Sequence, residues 1–269
     1  MIIDGRALGA EVLARAKARA EKLARRPLVV ALTGSDTPAA RSYLAIKAKR
    51  AALAGCTFET RALGATFADA DAVIVQLPVP AGVSQKEFCD AIPVEKDADV
   101  LSSAARARFE MKSLRNPSLL PPVVGAVREI LEFGKVEIAN GKAVVIGNGF
   151  LVGAPVVTWL KRQGADVEVV TLESGNLSEA LATADVIISG AGSPHLIKPD
   201  MLKQGVVLID AGTSESGGSI VGDADPACAR KCSIFTPVPG GVGPLAVAML
   251  FENAVTLAER QLPQGVALR

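Results

Sequence analysis

Tyr43 and Lys47 stand four residues apart in the stretch SYLAIKAKR, a spacing that puts both on one face of a helix. A lysine beside a phenol and an apolar pocket can shed part of its proton and serve in acid–base work. A solvated lysine next to a half-buried tyrosine accounts for the same pair. Tyr43 is the only tyrosine in the chain. Gln76 lies near the end of the apolar run AVIVQL, and strand C-termini are where α/β sites collect. Its plainer role is to cap loose backbone groups. The run KDAD places Asp97 and Asp99 in a loop, where either carboxylate can do chemistry or close an Asx turn.

Three glycine-containing segments add a second kind of chemistry. GNGFLVGAP, at 147–155, follows one apolar run and precedes a helical pattern. Glycines in that position let the backbone approach a pyrophosphate, whose charge meets the amides of a helix N-terminus. The spacing of Gly147, Gly149 and Gly153 is one residue longer than G-x-G-x-x-G, and a plain tight turn is the competing reading. SGAGSP, at 189–194, contains Gly190, Ala191 and Gly192 and would reach the same crevice. TPVPGGVGP, at 236–244, packs three glycines and three prolines into nine residues and specifies a rigid, shaped loop before a helix.

The elements that must position these residues read as two α/β regions. The chain has 269 residues, enough for about two domains at ~150 residues each. An Ala- and Arg-rich helical pattern runs from Ala7 to Leu23, followed by a buried strand at 28–32. Thr37, Pro38 and Gly55 are the N-cap, first-turn and C-terminal residues of a helix over 38–54. Residues 72–77 read as a second buried strand, and 90–116 as a polar, broken segment. From Lys142 the texture is clean alternation, with strands at 143–146, 166–170, 185–189, 206–209 and 232–236. That pattern predicts a parallel sheet. A last helix, from Pro244 to about Arg260, lies beyond it and is free to pack back on the first region.

Composition excludes several classes. Lys+Arg total 29 and Asp+Glu 28, a net charge of +1 that offers no global attraction to nucleic acid or an anionic membrane. Hydrophobic residues at 49% and charged residues at 21% argue against wholesale disorder. No uninterrupted apolar run spans a bilayer, and the N-terminus has Arg and Lys where a signal peptide needs an apolar stretch. Four cysteines make no disulfide framework, so a reducing cytoplasm fits. Cys228 and Cys232 could share a helix face, but His195 is the only histidine and no second ligand pair accompanies them; no metal is expected.

With these motifs in place, the sequence resembles the bifunctional methylenetetrahydrofolate dehydrogenase/methenyltetrahydrofolate cyclohydrolase family over nearly its whole length. SYLAIKAKRAALAG resembles the family's Tyr-x-x-x-Lys helix, and VIVQLPVP its VQLPLP segment. IPVEKDAD is similar to P-x-KDVD, VVIGNGFLVGAP to the VVGRSxxVGxP loop, and TPVPGGVGP to the family's most specific stretch. The resemblance implies an N-terminal α/β catalytic domain (1–120, completed by 245–269), a Rossmann-type NAD(P)-binding domain (121–244) and a cleft between them. It implies oxidation of 5,10-methylenetetrahydrofolate with NAD(P)+ and hydrolysis of the product to 10-formyltetrahydrofolate in one shared site. This is one-carbon chemistry that feeds purine biosynthesis, in a cytoplasmic homodimer.

By that resemblance Lys47 is the acid–base residue, Tyr43 contacts the folate, Gln76 holds Lys47 and Asp99 hydrogen-bonds the pterin. Val75 and Leu77 flank the folate, and Pro239, Gly240, Gly241, Val242 and Gly243 line its site. The cofactor lies on Gly147, Asn148, Gly149, Val152 and Gly153, with Glu173, Gly190, Ala191, Gly192 and Thr213 nearby.

The sequence departs from the family at several of these points. Asn148 and Gly149 replace an Arg-Ser pair, and 170–174 read VTLES in place of Cys-His-Ser-x-Thr. The groups that would hold a 2′-phosphate are gone, and Glu173 adds an acid where a ribose would sit, so NAD is expected over NADP unless Lys161 or Arg162 reaches round. LPPVVG at 120–125 replaces PCTPxG, Val100 replaces the glycine after KDVD, and DAGTS at 210–214 replaces DVGIN. Three other readings compete: a monofunctional relative with an altered cofactor site, a shikimate-dehydrogenase-like oxidoreductase, which would explain neither VQLP nor PGGVGP, and a non-catalytic interaction module, which has no reason to keep a lysine site.

Overall fold

A computed structural model describes residues 1–111, 119–171, 173–216 and 218–261. The end of the polar segment (112–118), Leu172 of the cofactor motif and the C-terminal stretch 262–269 lie outside the described residues. The first elements are α1 (Gly5–Ala20), β1 (Leu28–Thr33), α2 (Pro38–Leu53), β2 (Thr57–Ala62), β3 (Ala72–Val75), α3 (Gln85–Asp90) and α4 (Ser103–Glu110). There follow α5 (Pro122–Phe133), β4 (Lys142–Ile146), α6 (Gly153–Arg162), β5 (Asp166–Val170), α7 (Leu177–Thr183), β6 (Val186–Ser189) and β7 (Val206–Asp210). A short hairpin of β8 (Ser214–Ser216) and β9 (Ser219–Val221), then β10 (Cys232–Phe235) and α8 (Val242–Arg260), complete the described chain.

These elements pack as two units. One comprises the described residues between 9 and 122 and those from 247 onward; the other comprises 1–8 and 123–246. Residues 1–8, placed with the first domain in the sequence reading, belong to the second unit. The cause is local: Ile2 bridges Phe235, Ile3 N–H donates to the Phe235 carbonyl at 2.9 Å, and Gly5 N–H to the Gly240 carbonyl at 2.9 Å.

The first unit is built on a parallel sheet of order β2-β1-β3. β1 and β3 are nearly continuous aliphatic runs because both of their faces are covered. Val30, Leu32, Val73 and Val75 pack with Cys89, Ile92 and Leu101 beneath them. β2 is a polar edge strand, TFETRA, whose Arg61 pairs with Glu59 and Asp69; a charged edge discourages further strand pairing. α2 begins where Thr37 accepts a hydrogen bond from Ala40 N–H with Pro38 in the first turn, and ends at Gly55, which takes a positive φ of 77°. α8 has the length and a hydropathy of 1.3 that would suit a bilayer, but 61% of that window is buried within the protein, so it serves as a core helix. It starts at Val242, two residues before the expected Pro244.

The second unit carries a five-stranded, all-parallel sheet of order β10-β7-β6-β4-β5. The chain runs outward from β4 to β5 and then returns to the other side of β4 to lay down β6. Strand order therefore reverses between β4 and β6, the point where open α/β sheets bind ligands. The two segments leaving β4 and β6 at that point are the glycine-containing stretches at 147–152 and 190–194. Leu181, Ile187, Ile197 and Leu208 are fully buried against one face of this sheet.

Candidate active site

Within the first unit, α2 and β3 deliver two of the expected residues to one hydrogen bond. Lys47 Nζ donates to Gln76 Oε1 at 2.9 Å. Gln76 is itself immobilised: its backbone N–H donates to the Leu32 carbonyl at 2.8 Å, its side-chain Nε2 donates to the Leu77 carbonyl at 2.7 Å, and only 6% of it is exposed. The glutamine thus spends its amide donor on backbone and its oxygen on the amine. Burial lowers the Lys47 pKa, and the charge of Asp99 opposes that shift. Tyr43, one helical turn before Lys47, leaves about half its surface (52%) open to solvent.

Asp99 rides on a turn fixed from three sides. Val73 N–H donates to the Lys96 carbonyl at 2.7 Å and ties the turn to β3. The buried Asp97 carboxylate accepts from Leu101 N–H at 3.2 Å and Ser102 N–H at 2.7 Å. From α8, Asn253 Nδ2 donates to the carbonyls of Ala98 and Leu120, each at 2.9 Å. Asp97 is therefore the aspartate that holds the turn, through amides four and five residues further on. Among the described residues, the Asp99 carboxylate has no hydrogen-bond donor. It keeps a partly exposed edge, yet burial pushes its pKa up to about 6, with Lys47 pulling it down and Asp97 pushing it further up. Val100, where the family has glycine, is buried at φ 56°, a strained conformation for a β-branched residue that the Asp97 bonds to the next two amides maintain. The lowered lysine and the raised carboxylate feel each other's charge. Val75 faces the hydrophobic core, so only its backbone is available to a ligand, while Leu77 is partly exposed.

In the second unit the glycines at the switch point are sites of close approach. Gly147 takes φ 86°, and a Cβ on it would lie 2.9 Å from the Gly190 carbonyl oxygen. A Cβ on Gly153 would lie 2.1 Å from the Gly147 carbonyl oxygen, and one on Gly190 would lie 2.5 Å from Val152. The backbone of Gly147 therefore packs against those of Gly153 and Gly190, with the Val152 side chain against Gly190, while Asn148 and Gly149 face solvent. No side chain caps the N-terminus of α6, which is what an anionic group there requires. A cavity of about 420 Å³ opens beyond β4 and β5, lined by Ile146, Thr171, Asn176, Leu177, Ser178, Glu179 and Leu196. These features fit a dinucleotide: a close-approach loop, a free helix terminus and a polar-rimmed cavity at the strand ends. Glu173 is exposed in the turn after β5, where Thr171 N–H donates to Ser174 Oγ at 2.9 Å. Ala191 and Gly192 continue the loop after β6, and Thr213 is exposed three residues past β7. The sequence reading did not include Asn176, Ser178 or Glu179, whose only signal was their position after a strand.

The loop after β10 turns on Gly240, at φ 115°, and on Gly241, whose N–H donates to the Pro237 carbonyl at 2.7 Å. Pro239 and Gly243 are exposed, and Val242 is buried as the first residue of α8. Cys228 and Cys232 do not share a helix face, because the helical turn ends at Arg230 and β10 begins at Cys232; their thiols donate to the carbonyls of Ile197 and Cys228.

Comparison with known proteins is consistent across the chain. Residues 3–99 match the family described as Tetrahydrofolate dehydrogenase/cyclohydrolase, catalytic domain, and residues 121–262 match its NAD(P)-binding domain. The chain is 32% identical to the bifunctional protein FolD of Thermotoga maritima, over 97% of its own length and 99% of that protein. It superposes with a TM-score of 0.91 on the bifunctional FolD methylenetetrahydrofolate dehydrogenase/cyclohydrolase of Campylobacter jejuni, at 29% identity, covering 97% of this chain and 99% of that one. The Trypanosoma brucei enzyme complexed with NADP cofactor and inhibitor gives 0.89, at 29% identity and 97% coverage of both chains.

Proposed function

From the premise that the chain belongs to the tetrahydrofolate dehydrogenase/cyclohydrolase family, we propose how its own residues divide the work of the family's two reactions. The protein is a methylenetetrahydrofolate dehydrogenase using NAD(P)+ and a methenyltetrahydrofolate cyclohydrolase. The observation that carries the division is the 2.9 Å bond between Lys47 and Gln76. Burial lowers the Lys47 pKa and so raises its share of neutral amine over that of an exposed lysine, and that amine takes a proton from the water that attacks the methenyl carbon. The new C–O bond forms, the C–N5 bond breaks with its electron pair going to N5, and the ammonium of Lys47 returns the proton to N5; the remaining hydroxyl proton leaves to solvent as the formyl C=O forms, so methenyl cation plus water gives the 10-formyl product and one proton. Gln76 holds Nζ in line for both transfers. Asp99 accepts hydrogen bonds from the amino-pyrimidinone edge of the pterin, and the exposed ring of Tyr43 packs on the folate. The first unit is accordingly the folate-binding catalytic domain and the second the dinucleotide-binding domain.

A bound NAD(P)+ supplies the hydride acceptor for oxidation of the methylene carbon. Gly147, Gly149 and Gly153 would hold its pyrophosphate, and the cavity beyond β5 would take its adenosine. NAD is preferred over NADP, because Asn148, Gly149 and Thr171 provide no cation for a 2′-phosphate and Glu173 adds a like charge at the same turn. A cytoplasmic homodimer is part of the same reading, and light scattering of the purified protein tests its dimeric part. The functional reading is tested by paired assays: methylenetetrahydrofolate-dependent reduction of each cofactor, and hydrolysis of methenyltetrahydrofolate without cofactor. Both activities are expected, and absence of hydrolysis would overturn the role given to Lys47.

A further inference from the structure

The loop after β6 owes its shape to a carboxylate that lies far from it in sequence. Asp223 follows the β8–β9 hairpin and is completely buried (0% exposed). Its Oδ2 accepts from Ser189 Oγ at 2.6 Å and from Ala191 N–H at 2.8 Å, while Oδ1 accepts from Ser193 N–H at 2.8 Å. Three donors from five consecutive residues thus converge on one carboxyl group. The adjoining backbone runs alongside: His195 N–H donates to the Gly222 carbonyl at 3.1 Å, and Ile197 N–H to the Asp223 carbonyl at 2.9 Å.

A second buried carboxylate holds this segment from the other side. Asp210, at the end of β7, accepts from Gly212 N–H at 2.9 Å and Ala224 N–H at 2.8 Å. A Cβ on Gly212 would fall 2.2 Å from the Asp223 carboxylate, and one on Gly222 would fall 2.2 Å from Asp210 Oδ2. Only glycine at both positions lets the carboxylates sit where they do. Burying two acids side by side is costly for an ordinary turn. Here the pair fixes a loop that packs directly on the Gly147 segment, since Gly190 touches both Gly147 and Val152.

We propose that Asp223 is a positioning residue for the nicotinamide cofactor, acting through the Gly190–Ala191–Gly192 loop whose amides it orients. The proposal rests on the cofactor reading given above. In Asp223→Asn the amide group presents a donor where a carboxylate oxygen stood, so at least one of the three donors loses its acceptor. The loop then departs from the shape that meets the cofactor, while Lys47 and Gln76, in the first unit, keep their bond.

The experiment measures cofactor KM, kcat at saturating cofactor, cofactor-free methenyl hydrolysis and thermal stability in Asp223→Asn and in the milder Ser189→Ala. The expected result is a cofactor KM raised about tenfold or more in Asp223→Asn, a tenfold change being ~1.4 kcal/mol. Saturated kcat stays within about threefold and hydrolysis within about twofold. Ser189→Ala, which removes one donor and leaves both backbone bonds, shifts KM the same way by a smaller factor; it decides the matter if the asparagine variant does not fold. An unchanged KM in a folded variant overturns the proposal, and so does a parallel loss of both activities with a lowered melting temperature, which marks a structural acid only. Direct titration of wild-type protein with NAD+ and NADP+ separates the underlying reading. If wild type binds neither, the cofactor assignment falls and this proposal with it; if wild type and variant bind equally, Asp223 alone is wrong.

Discussion

Replacing Gln76 with leucine removes the hydrogen bond that holds Lys47. The leucine keeps the volume of a residue that is 6% exposed, but it removes the oxygen that accepts from Nζ at 2.9 Å and the donor to the Leu77 carbonyl. A hydrogen bond to a charged group contributes about 1.5–3 kcal/mol, equivalent to roughly 10–150-fold in a rate that depends on it. We expect kcat for methenyl hydrolysis to fall about 10–100-fold, with the folate KM changed less than about threefold. The pH profile carries a second signature. The bond supports the ammonium form, so losing it lowers the Lys47 pKa beyond the reduction already caused by burial. The rising limb of kcat, which reports neutral amine, then moves to lower pH. Gln76→Glu does the opposite: a carboxylate at the same position favours the ammonium, and the limb moves to higher pH. The assay is loss of methenyl absorbance in stopped flow across pH, with circular dichroism to confirm folding. A folded Gln76→Leu enzyme with wild-type kcat and an unmoved limb would refute the reasoning.

Further predictions concern the other groups. The Asp99 carboxyl, at about 6, binds the pterin as the carboxylate, so folate binding lowers its pKa and releases a proton below that pH. Calorimetry should show folate affinity rising as pH climbs to about 6 and levelling off above it, and Asp99→Asn should abolish the slope; a pH-independent wild-type affinity would count against the role. Gly153→Ala forces a methyl group toward the Gly147 carbonyl oxygen at 2.1 Å, and overpacking of this kind costs about 1–3 kcal/mol. A lower melting temperature and a raised cofactor KM are expected, and a variant matching wild type in both would show that the loop yields easily. For cofactor choice, dehydrogenase kcat/KM should favour NAD+ over NADP+ by about tenfold or more. Glu173→Gln should narrow the gap, whereas NADP preference in wild type would overturn the assignment.

The central strands and α2 were legible because their signals are local. β1, β3, β4, β6 and β7 are short, largely aliphatic runs, and Thr37, Pro38 and Gly55 mark the two ends of α2. β2 was missed because an edge strand such as TFETRA has no apolar run to announce it. The eight N-terminal residues were misplaced because the bonds that hold them reach Phe235 and Gly240, more than 230 residues away. In the site, the Tyr43–Lys47 spacing and the position of Gln76 were readable, and the structure joins Lys47 to Gln76. Residue type and spacing alone could not choose between the aspartates of KDAD, although the family resemblance pointed to Asp99. The distinction depends on which carboxylate caps Leu101 and Ser102, and that is settled by the turn's attachment to β3 and to Asn253 of α8. Asp223 was invisible for the same reason, since its partners lie some 30 residues earlier and only the folded loop brings them to it.

Lys47→Met puts the central claim, that this amine moves the proton in methenyl hydrolysis, to its most direct test. Methionine retains an unbranched apolar stem and loses the ammonium, so folate contact area survives and proton transfer does not. Proton transfer by a positioned group contributes about 10²–10⁴-fold. Hydrolysis measured against the uncatalysed rate, alongside calorimetric folate affinity, should show at least a hundredfold loss of turnover with affinity within several-fold of wild type. Undiminished hydrolysis in the folded Lys47→Met protein would contradict the account.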